Sequence, residues 1–277
     1  MVETAWLTAE QVMTSPAEVV AAEAPVLYAV GVLDRSGFSQ LPVVNAEGLV
    51  VGTFRARDVR RLYWQLGQML AADGGDVATE LARRQVGQMC SEPLPQVRPD
   101  AGLSEVIARV EKWHAVLVGP MDKRWGIITS GDLLRVSKPY LLLAELEVRL
   151  RHFIELQLSR LTPKWWQQRI PTDVQHRCEQ RQVAVLGQTP PALADQDASL
   201  LAFCGFPDYL EIILERNNWS DVFMSVFGSR EWVIHRLKDL QDLRNAVAHH
   251  RPLSAEELDL LDAYVEAFLR CFGGGSR

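Results

Sequence analysis

The sequence predicts an α+β protein in which a doubled β-α-β-β-α unit is followed by an all-helical bundle. Three observations carry that prediction. Strand and helix signals alternate through the first half and then return in the same order, with Gly52-Thr53-Phe54-Arg55-Ala56-Arg57-Asp58 aligning on Gly126-Ile127-Ile128-Thr129-Ser130-Gly131-Asp132. Past Lys138-Pro139 the strand signals stop. From there on, apolar residues recur at three- and four-residue steps, the period of an amphipathic helix.

Each element has its own local signal. Thr8-Ala9-Glu10-Gln11 is a capping-box pattern ahead of Val12 and Met13. A short strand through Val19-Val20 and a turn at Ala24-Pro25 precede a helix through Leu27, Val30 and Leu33, closed by Gly37. The strands Gln40 to Val44 and Leu49 to Phe54 flank the polar turn Asn45-Ala46-Glu47-Gly48, and a helix begins near Arg57-Asp58. The connection from Gln65 to Ala82, broken at Asp73-Gly74-Gly75-Asp76, reads as a surface loop. The second copy has a helix over Val86 to Met89, a strand near Gln96-Val97 and a helix through Leu103, Ile107 and Val110. Strands follow from Ala115 to Val118 and Trp125 to Thr129, then a helix from Asp132.

In the second half, Leu142, Leu146, Leu150, Phe153, Ile154 and Leu158 mark a long helix over Leu141 to Leu161. Pro163, Pro171, Pro190 and Pro191 punctuate a less regular stretch, whose Trp165-Trp166 pair either anchors a helix to the core or offers rings for base stacking. Further helices run through Leu200-Leu201 and from Tyr209 to Leu214, and Ser220 and Ser229 read as N-caps of the next two. Ser254 and Glu257 form a capping box for a last helix through Leu261, Tyr264, Val265 and Phe268. The expected boundaries are 1–82 and 83–138 for the two copies, 139–272 for the helical domain and 273–277 for a flexible tail.

Composition narrows the function classes. With 277 residues, 48% of them hydrophobic, the chain can bury more than one core. A net charge of -6 and a pI near 5.6 provide no global basic field, so any RNA contact has to be local and no DNA partner is expected. Cys90, Cys178, Cys204 and Cys271 are scattered without a CxxC pair, which argues against a zinc site or a disulfide framework and fits a reducing cytoplasm. His114, His152, His176 and His235 show no metal-ligand spacing, so no metal site is expected. Met1 to Trp6 has no signal-peptide pattern, and runs such as Leu141-Leu142-Leu143-Ala144 are too short to span a bilayer. The expectation is a soluble cytoplasmic protein.

The most suggestive stretch is Asp242-Leu243-Arg244-Asn245-Ala246-Val247-Ala248-His249-His250-Arg251, which follows a helical run marked by Val233, Leu237, Leu240, Leu243 and Val247. A phosphate-binding cation, a polar amide and an imidazole form an economical set for cleaving a phosphodiester. On an ideal helix Arg244 and His249 diverge by roughly 140°. They converge only if the helix loosens after Ala248 or a second copy completes the site, whereas Asn245 and His249 share a face. The plainer reading is a surface arginine and a histidine at the carbonyl end of the helix dipole.

The doubled half resembles a tandem pair of CBS domains over roughly residues 8–138, best at Gly126 to Asp132. That resemblance implies two clefts for adenosine-type ligands such as AMP, ADP or ATP, with Thr129 contacting phosphate and Asp132 contacting ribose. In the first copy Asp58 is retained, but Arg55 replaces the usual Thr or Ser, so Arg55 either pairs with a polyphosphate or marks a vacant cleft. Arg35, Arg57, Arg60, Lys112, His114 and Arg124 are further cations with no ranking from sequence.

The helical half, with Arg-Asn-Ala-Val-Ala-His at 244–249 and an Arg-Pro-Leu-Ser restart, resembles the HEPN superfamily, close to its abortive-infection-like members. The resemblance covers about residues 140–272 and implies a homodimeric, metal-independent endoribonuclease with no catalytic cofactor, acting in stress or phage defence. An RNA 2′-hydroxyl would attack the adjacent phosphate, with His249 as general base or acid, Arg244 holding the phosphate oxygens and Asn245 either orienting His249 or donating to the phosphate. His250 is in reserve. The alternative is a non-catalytic nucleotide-sensing adaptor whose helical domain dimerises or docks another protein.

Overall fold

The computed structural model describes residues 7–73, 76–121, 124–188 and 199–273. The chain divides into two units, Met1–Val136 and Ser137–Arg277. Among the described residues no helix is long and apolar enough to cross a membrane. The expected tail beyond residue 273 and Gly74-Gly75 lie outside the described residues.

The first unit opens with α1 (Ala9–Val12), β1 (Val20–Ala21), α2 (Val26–Ser36), β2 (Gln40–Val44), β3 (Val50–Arg55) and α3 (Ala56–Asp73). It continues with α4 (Val77–Arg83), a 3-10 turn at Val86–Gln88, β4 (Gln96–Val97), α5 (Leu103–Trp113), β5 (Ala115–Met121) and β6 (Arg124–Thr129), and ends on the first turns of α6 (Ser130–Ser159). Two sheets result, β1-β2-β3 and β4-β5-β6, each with one parallel and one antiparallel pairing. Val43 pairs with Gly52 in the first, and Val118 pairs with Gly126 in the second. The duplication read from sequence is therefore repeated in strand order and register.

The copies exchange their leading segments. Backbone bonds run both ways between Thr14 and Ile127 (2.9 and 3.0 Å), which puts the start of the chain on the second sheet. The mirror contact joins Ser91 and Thr53 (2.9 and 3.0 Å), which puts the lead of the second copy on the first sheet. The cores follow the exchange. Ala9 and Val12 are buried with Val97, Val106, Val116 and Ile128, whereas Val86 is buried with Val26, Leu41 and Phe54. Glycine at the crossing makes the approach possible, since a Cβ on Gly52 would stand 2.3 Å from Cys90 Sγ and 2.9 Å from the Ser91 carbonyl oxygen. On Gly126 it would meet Met13 Sδ at 2.2 Å, the far end of a flexible side chain.

In the second unit α6 continues to Ser159, and α7 (Trp165–Arg169), α8 (Thr172–Gln188), a 3-10 turn at Leu200–Phe203, α9 (Phe206–Leu214) and α10 (Arg216–Asn218) follow. A π-helical turn at Trp219–Phe223 leads to α11 (Met224–Phe227), α12 (Arg230–Ala248) and α13 (Ala255–Gly273). One apolar core joins them: Leu146, Leu150 and Ile154 of α6 meet Ile212 and Ile213 of α9, Leu237 and Leu240 of α12, and Leu261 and Phe268 of α13. Trp165 and Trp166 pack against this core, which is the anchoring alternative. Asp208 sits within it at 1% exposure, capping the Gly205 N–H (2.9 Å) and accepting from Arg177 Nε (3.0 Å) and Arg181.

Several sequence expectations are corrected. The helix from Asp132 and the helix from Leu141 are one, running through Pro139. Proline removes one backbone bond, but the buried stripe of Leu143, Leu146 and Leu150 carries the helix across. The Gln65–Ala82 connection is mostly helical, because Leu62 and Leu66 hold α3 to the core and Asp76 caps α4 through Ala78 and Thr79. The stretch after Pro163 folds into α7 and α8, each starting within two residues after a proline, Pro163 and Pro171. Ser229 accepts from Trp232 N–H as an N-cap, but Ser220 lies inside the π turn and instead donates to Asn217 O.

Two expected outcomes follow from this packing. Gly52→Ala should cost about 2–3 kcal/mol in urea unfolding and Gly126→Ala distinctly less, because a backbone oxygen cannot yield as a thioether can; equal losses would show that the Met13 side chain yields no more than the Ser91 backbone. The second concerns Asp208, whose carboxyl burial pushes up but whose hydrogen bonds from Arg181, Gly205 and Arg177 hold below its usual 3.8. Its stabilisation is therefore present above that value and disappears as pH falls through the lowered one. Asp208→Asn should lose about 3 kcal/mol near neutral pH, the low end for breaking a buried pair because both guanidiniums keep water contact. The gap from the parent should close in acid, and a gap independent of pH would show that the charge contributes nothing.

Candidate functional site

A cleft of about 350 Å³ lies within the first unit and is lined by Gln40, Arg55, Arg57, Arg60, Lys112, Trp113 and His114, among others. Each cation is delivered by a local backbone rule. Arg55 ends β3, and Arg57 and Arg60 follow one turn apart at the start of α3, where free N–H groups and the helix dipole favour an anion. Lys112 closes α5, and His114 terminates it in the left-handed conformation at φ 66, where α5 gives way to β5. Lys112 Nζ stands 5.3 Å from the Trp113 ring, a cation–π contact. Of the unranked cations, the structure gathers Arg57, Arg60, Lys112 and His114 with Arg55; Arg35 and Arg124 do not line this cleft.

The two copies treat their matching aspartates oppositely. In the second, Asp132 is 7% exposed and saturated: Thr14 Oγ1 donates at 2.6 Å, Thr129 N–H and Oγ1 each at 2.8 Å, and Arg135 at 3.2 Å. Burial works against its charge, yet those bonds hold the carboxyl below the usual range. Thr129 and Asp132 are thus brought together, but their donor and acceptor are spent on each other. In the first copy both hydroxyl donors are lost. Arg55 stands in place of Thr129, and Ser91, the counterpart of Thr14, gives its hydroxyl to the Thr53 carbonyl (3.0 Å). Asp58 keeps only Arg57 at 3.8 Å, and its Oδ2 is buried with no hydrogen-bond partner among the described residues. A buried acceptor left unpaired costs about 1–3 kcal/mol; Asp58 itself is not among the residues that line the cleft, to which the first copy contributes Arg55, Arg57 and Arg60. Its one legible signal was Arg55 itself, because the cations from α5 are brought in only by folding.

In the second unit α12 ends at Ala248 and His249 is its C-cap, with its N–H still bonded to the Asn245 carbonyl at 2.9 Å; no contact joins the Arg244 and His249 side chains among the described residues. Arg244, His249 and His250 are exposed, while Asn245 accepts from Gln241 Nε2 at 2.8 Å. His249 makes no side-chain hydrogen bond among the described residues. The reserve histidine is the held one: Tyr140 of α6 donates to Val247 O at 2.7 Å and meets His250 Nδ1 at 3.0 Å. With that hydroxyl proton committed to the carbonyl, the tyrosine oxygen accepts from His250 Nδ1–H and leaves Nε2 as the free acceptor. His250 reaches this position through a left-handed backbone at φ 56. Glu147 of α6 lies within the field of Arg244; burial pushes its carboxyl up, against the pull of Arg151 and Arg244. Sequence spacing flagged His249, and only the α6–α12 packing distinguishes His250.

The comparisons bear on the first unit. The CBS domain family model matches residues 9–65 and 86–138. Among solved structures, a CBS domain-containing protein of Kribbella flavida is 28% identical, with 47% of this chain and 97% of that one covered at a TM-score of 0.39. CBSX2 in complex with AMP is 21% identical, with 47% and 95% covered at 0.38. The CBS domain pair of MJ0100 in complex with 5-methylthioadenosine and S-adenosyl-L-methionine is 17% identical, with 47% and 98% covered at 0.35. No curated protein matches the chain. The matched segments coincide with the two exchanged sheet-and-helix copies, and the first half of this chain is a tandem pair of CBS domains.

Proposed function

We propose that this protein senses an adenosine phosphate through its CBS pair, and that its helical unit is the effector, a metal-independent endoribonuclease. The observation that carries the sensing half is the cleft of Arg55, Arg57, Arg60, Lys112 and His114. Charge-assisted bonds to phosphate oxygens are the strong ones, and a field this concentrated suits a polyphosphate better than a single phosphate. Asp58 does not line this cleft, so the sensing reading rests on the cations alone. AMP, ADP and ATP share that chemistry, and the number of cations favours ADP or ATP.

The effector half rests on the resemblance to the HEPN superfamily and on the Arg244, Asn245, His249 and His250 cluster. Arg244 would neutralise the phosphate as charge develops. One imidazole would take the 2′-hydroxyl proton, a step worth about 10²–10⁴-fold, and a homodimer would bring two such clusters to one RNA strand. Ligand control requires different nucleotide affinities in the active and inactive forms. The second reading, a non-catalytic nucleotide-sensing adaptor, is favoured by Glu147, whose carboxyl offsets the field of Arg244.

Two measurements test these statements. In calorimetric titrations of the intact chain with ATP, Arg55→Ala and Lys112→Ala should each weaken binding about 10-fold, and more at low salt. Thr129→Ala should leave affinity nearly unchanged; loss of binding there with retention in Arg55→Ala would place the ligand in the other cleft. For the effector, labelled single-stranded RNA is incubated in EDTA with parent, Arg244→Ala, His249→Ala and His250→Ala, with and without ATP. The ribonuclease reading expects cleavage that survives chelation and falls at least 100-fold in Arg244→Ala and in one histidine variant. No cleavage by the parent with or without ATP leaves the adaptor.

A further inference from the structure

Two of the four cysteines are set apart by position. Cys178 on α8 and Cys204 after the Leu200–Phe203 turn are 0% and 7% exposed, and their sulfurs stand 2.8 Å apart. Cys90 and Cys271 are half-buried, and Cys90 directs its thiol to the Gly87 carbonyl. The 2.8 Å approach lies between a disulfide bond of about 2.05 Å and ordinary contact of two unbonded sulfurs. Sequence spacing could not reveal the pair, because its members come from separate elements.

The Asp208 carboxylate lies beside the two sulfurs, the three ligand atoms falling within 4.8 Å of one another, a set that invites a soft divalent cation. The charges around it argue otherwise. Asp208 is already bound by Arg177, Arg181 and the Gly205 N–H. A dication would face two guanidiniums and would have to displace both. The same guanidiniums favour negative charge on sulfur. The hydrogen bond between the two sulfurs and the fields of Arg181 and Arg177 hold the Cys178 thiol below its usual range, against burial and Asp208. The same hydrogen bond and burial push Cys204 up.

We infer that Cys178 and Cys204 form a reversible dithiol–disulfide pair that answers to hydroperoxides, with Cys178 the attacking sulfur and Cys204 the resolving one. The Cys178 thiolate attacks a peroxide oxygen, the O–O bond breaks, and the departing hydroxide takes a proton from solvent to leave as water. The Cys204 sulfur then attacks the Cys178 sulfenic acid; the S–O bond breaks, and a second water leaves with the Cys204 proton. Two thiols and one hydrogen peroxide become one disulfide and two waters, and a small dithiol reverses the change by being oxidised in turn. Because Cys178 is fully buried, the first step waits on local opening and is slower than at an exposed thiolate. The bond ties α8 to the turn that enters α9. Since α9 packs against α12, oxidation stiffens the support of the helix that carries Arg244.

The test treats the intact chain with hydrogen peroxide, alkylates the remaining thiols under denaturing conditions and maps peptides without reductant. The expected product joins Cys178 to Cys204, reverts with dithiothreitol and raises the melting temperature by several degrees. Cys204→Ser should stop at a Cys178 sulfenic acid that a cyclic 1,3-diketone captures, while Cys178→Ser should leave Cys204 unlabelled. The inference is overturned if both thiols stay alkylatable at a peroxide dose that consumes Cys90 and Cys271. It is also overturned if the diketone label lands on Cys204, or if stoichiometric zinc binds and protects both thiols. Cross-link mapping of the parent decides the matter even if a serine variant folds poorly.

Discussion

The first unit depends on one constraint, the reciprocal crossing in which each copy lends its leading segment to the sheet of the other. Backbone hydrogen bonds fix it, among them the reciprocal pairs between Thr14 and Ile127 and between Ser91 and Thr53. They require glycine at position 52, where a Cβ would meet the Ser91 carbonyl oxygen, and are eased by glycine at 126, where it would meet the Met13 side chain. Neither core closes without the exchanged residues, Ala9 and Val12 in one and Val86 in the other. A sheet edge that would otherwise present unpaired polar groups is covered at the same time. The two copies therefore fold as one body.

Near-symmetry of this kind makes small sequence differences decisive. The crossing puts Thr14 beside Asp132 and Ser91 beside Thr53, and the hydroxyls then choose different acceptors. With Arg55 in place of the threonine, the first copy loses its second donor as well. The second motif spends Asp132 on its own hydrogen bonds, while the first leaves Asp58 Oδ2 without a partner among the described residues and contributes Arg55, Arg57 and Arg60 to a cleft completed by Lys112 and His114.

In the helical unit, a single apolar core sets the position of every polar feature discussed above. The α6–α12 packing brings Tyr140 to His250 and Glu147 into the field of Arg244. The packing of α8 on the turn before α9 brings Cys178 to Cys204 and surrounds Asp208 with two arginines. Each arrangement joins residues far apart in the chain.

Periodicity, glycine and capping residues by themselves determined the α+β class, the duplication, the strands at 40–55 and 115–129 and the helical character of the second half. These features are local, and local sterics and hydrogen bonding write them into short stretches such as Ser254 to Glu257. Local signals overstated the breaks at Lys138-Pro139 and Gln65 to Ala82, where burial of one helix face outweighs a proline or an isolated turn sequence. The sequence also marked Arg55, Asp58, Thr129, Asp132, Arg244, Asn245 and His249 as residues to watch. Only the tertiary structure decided which aspartate is spent and which is open, which histidine is held and which cysteines meet. Those outcomes depend on what stands across a packed interface from each side chain, and that neighbour comes from a distant part of the chain.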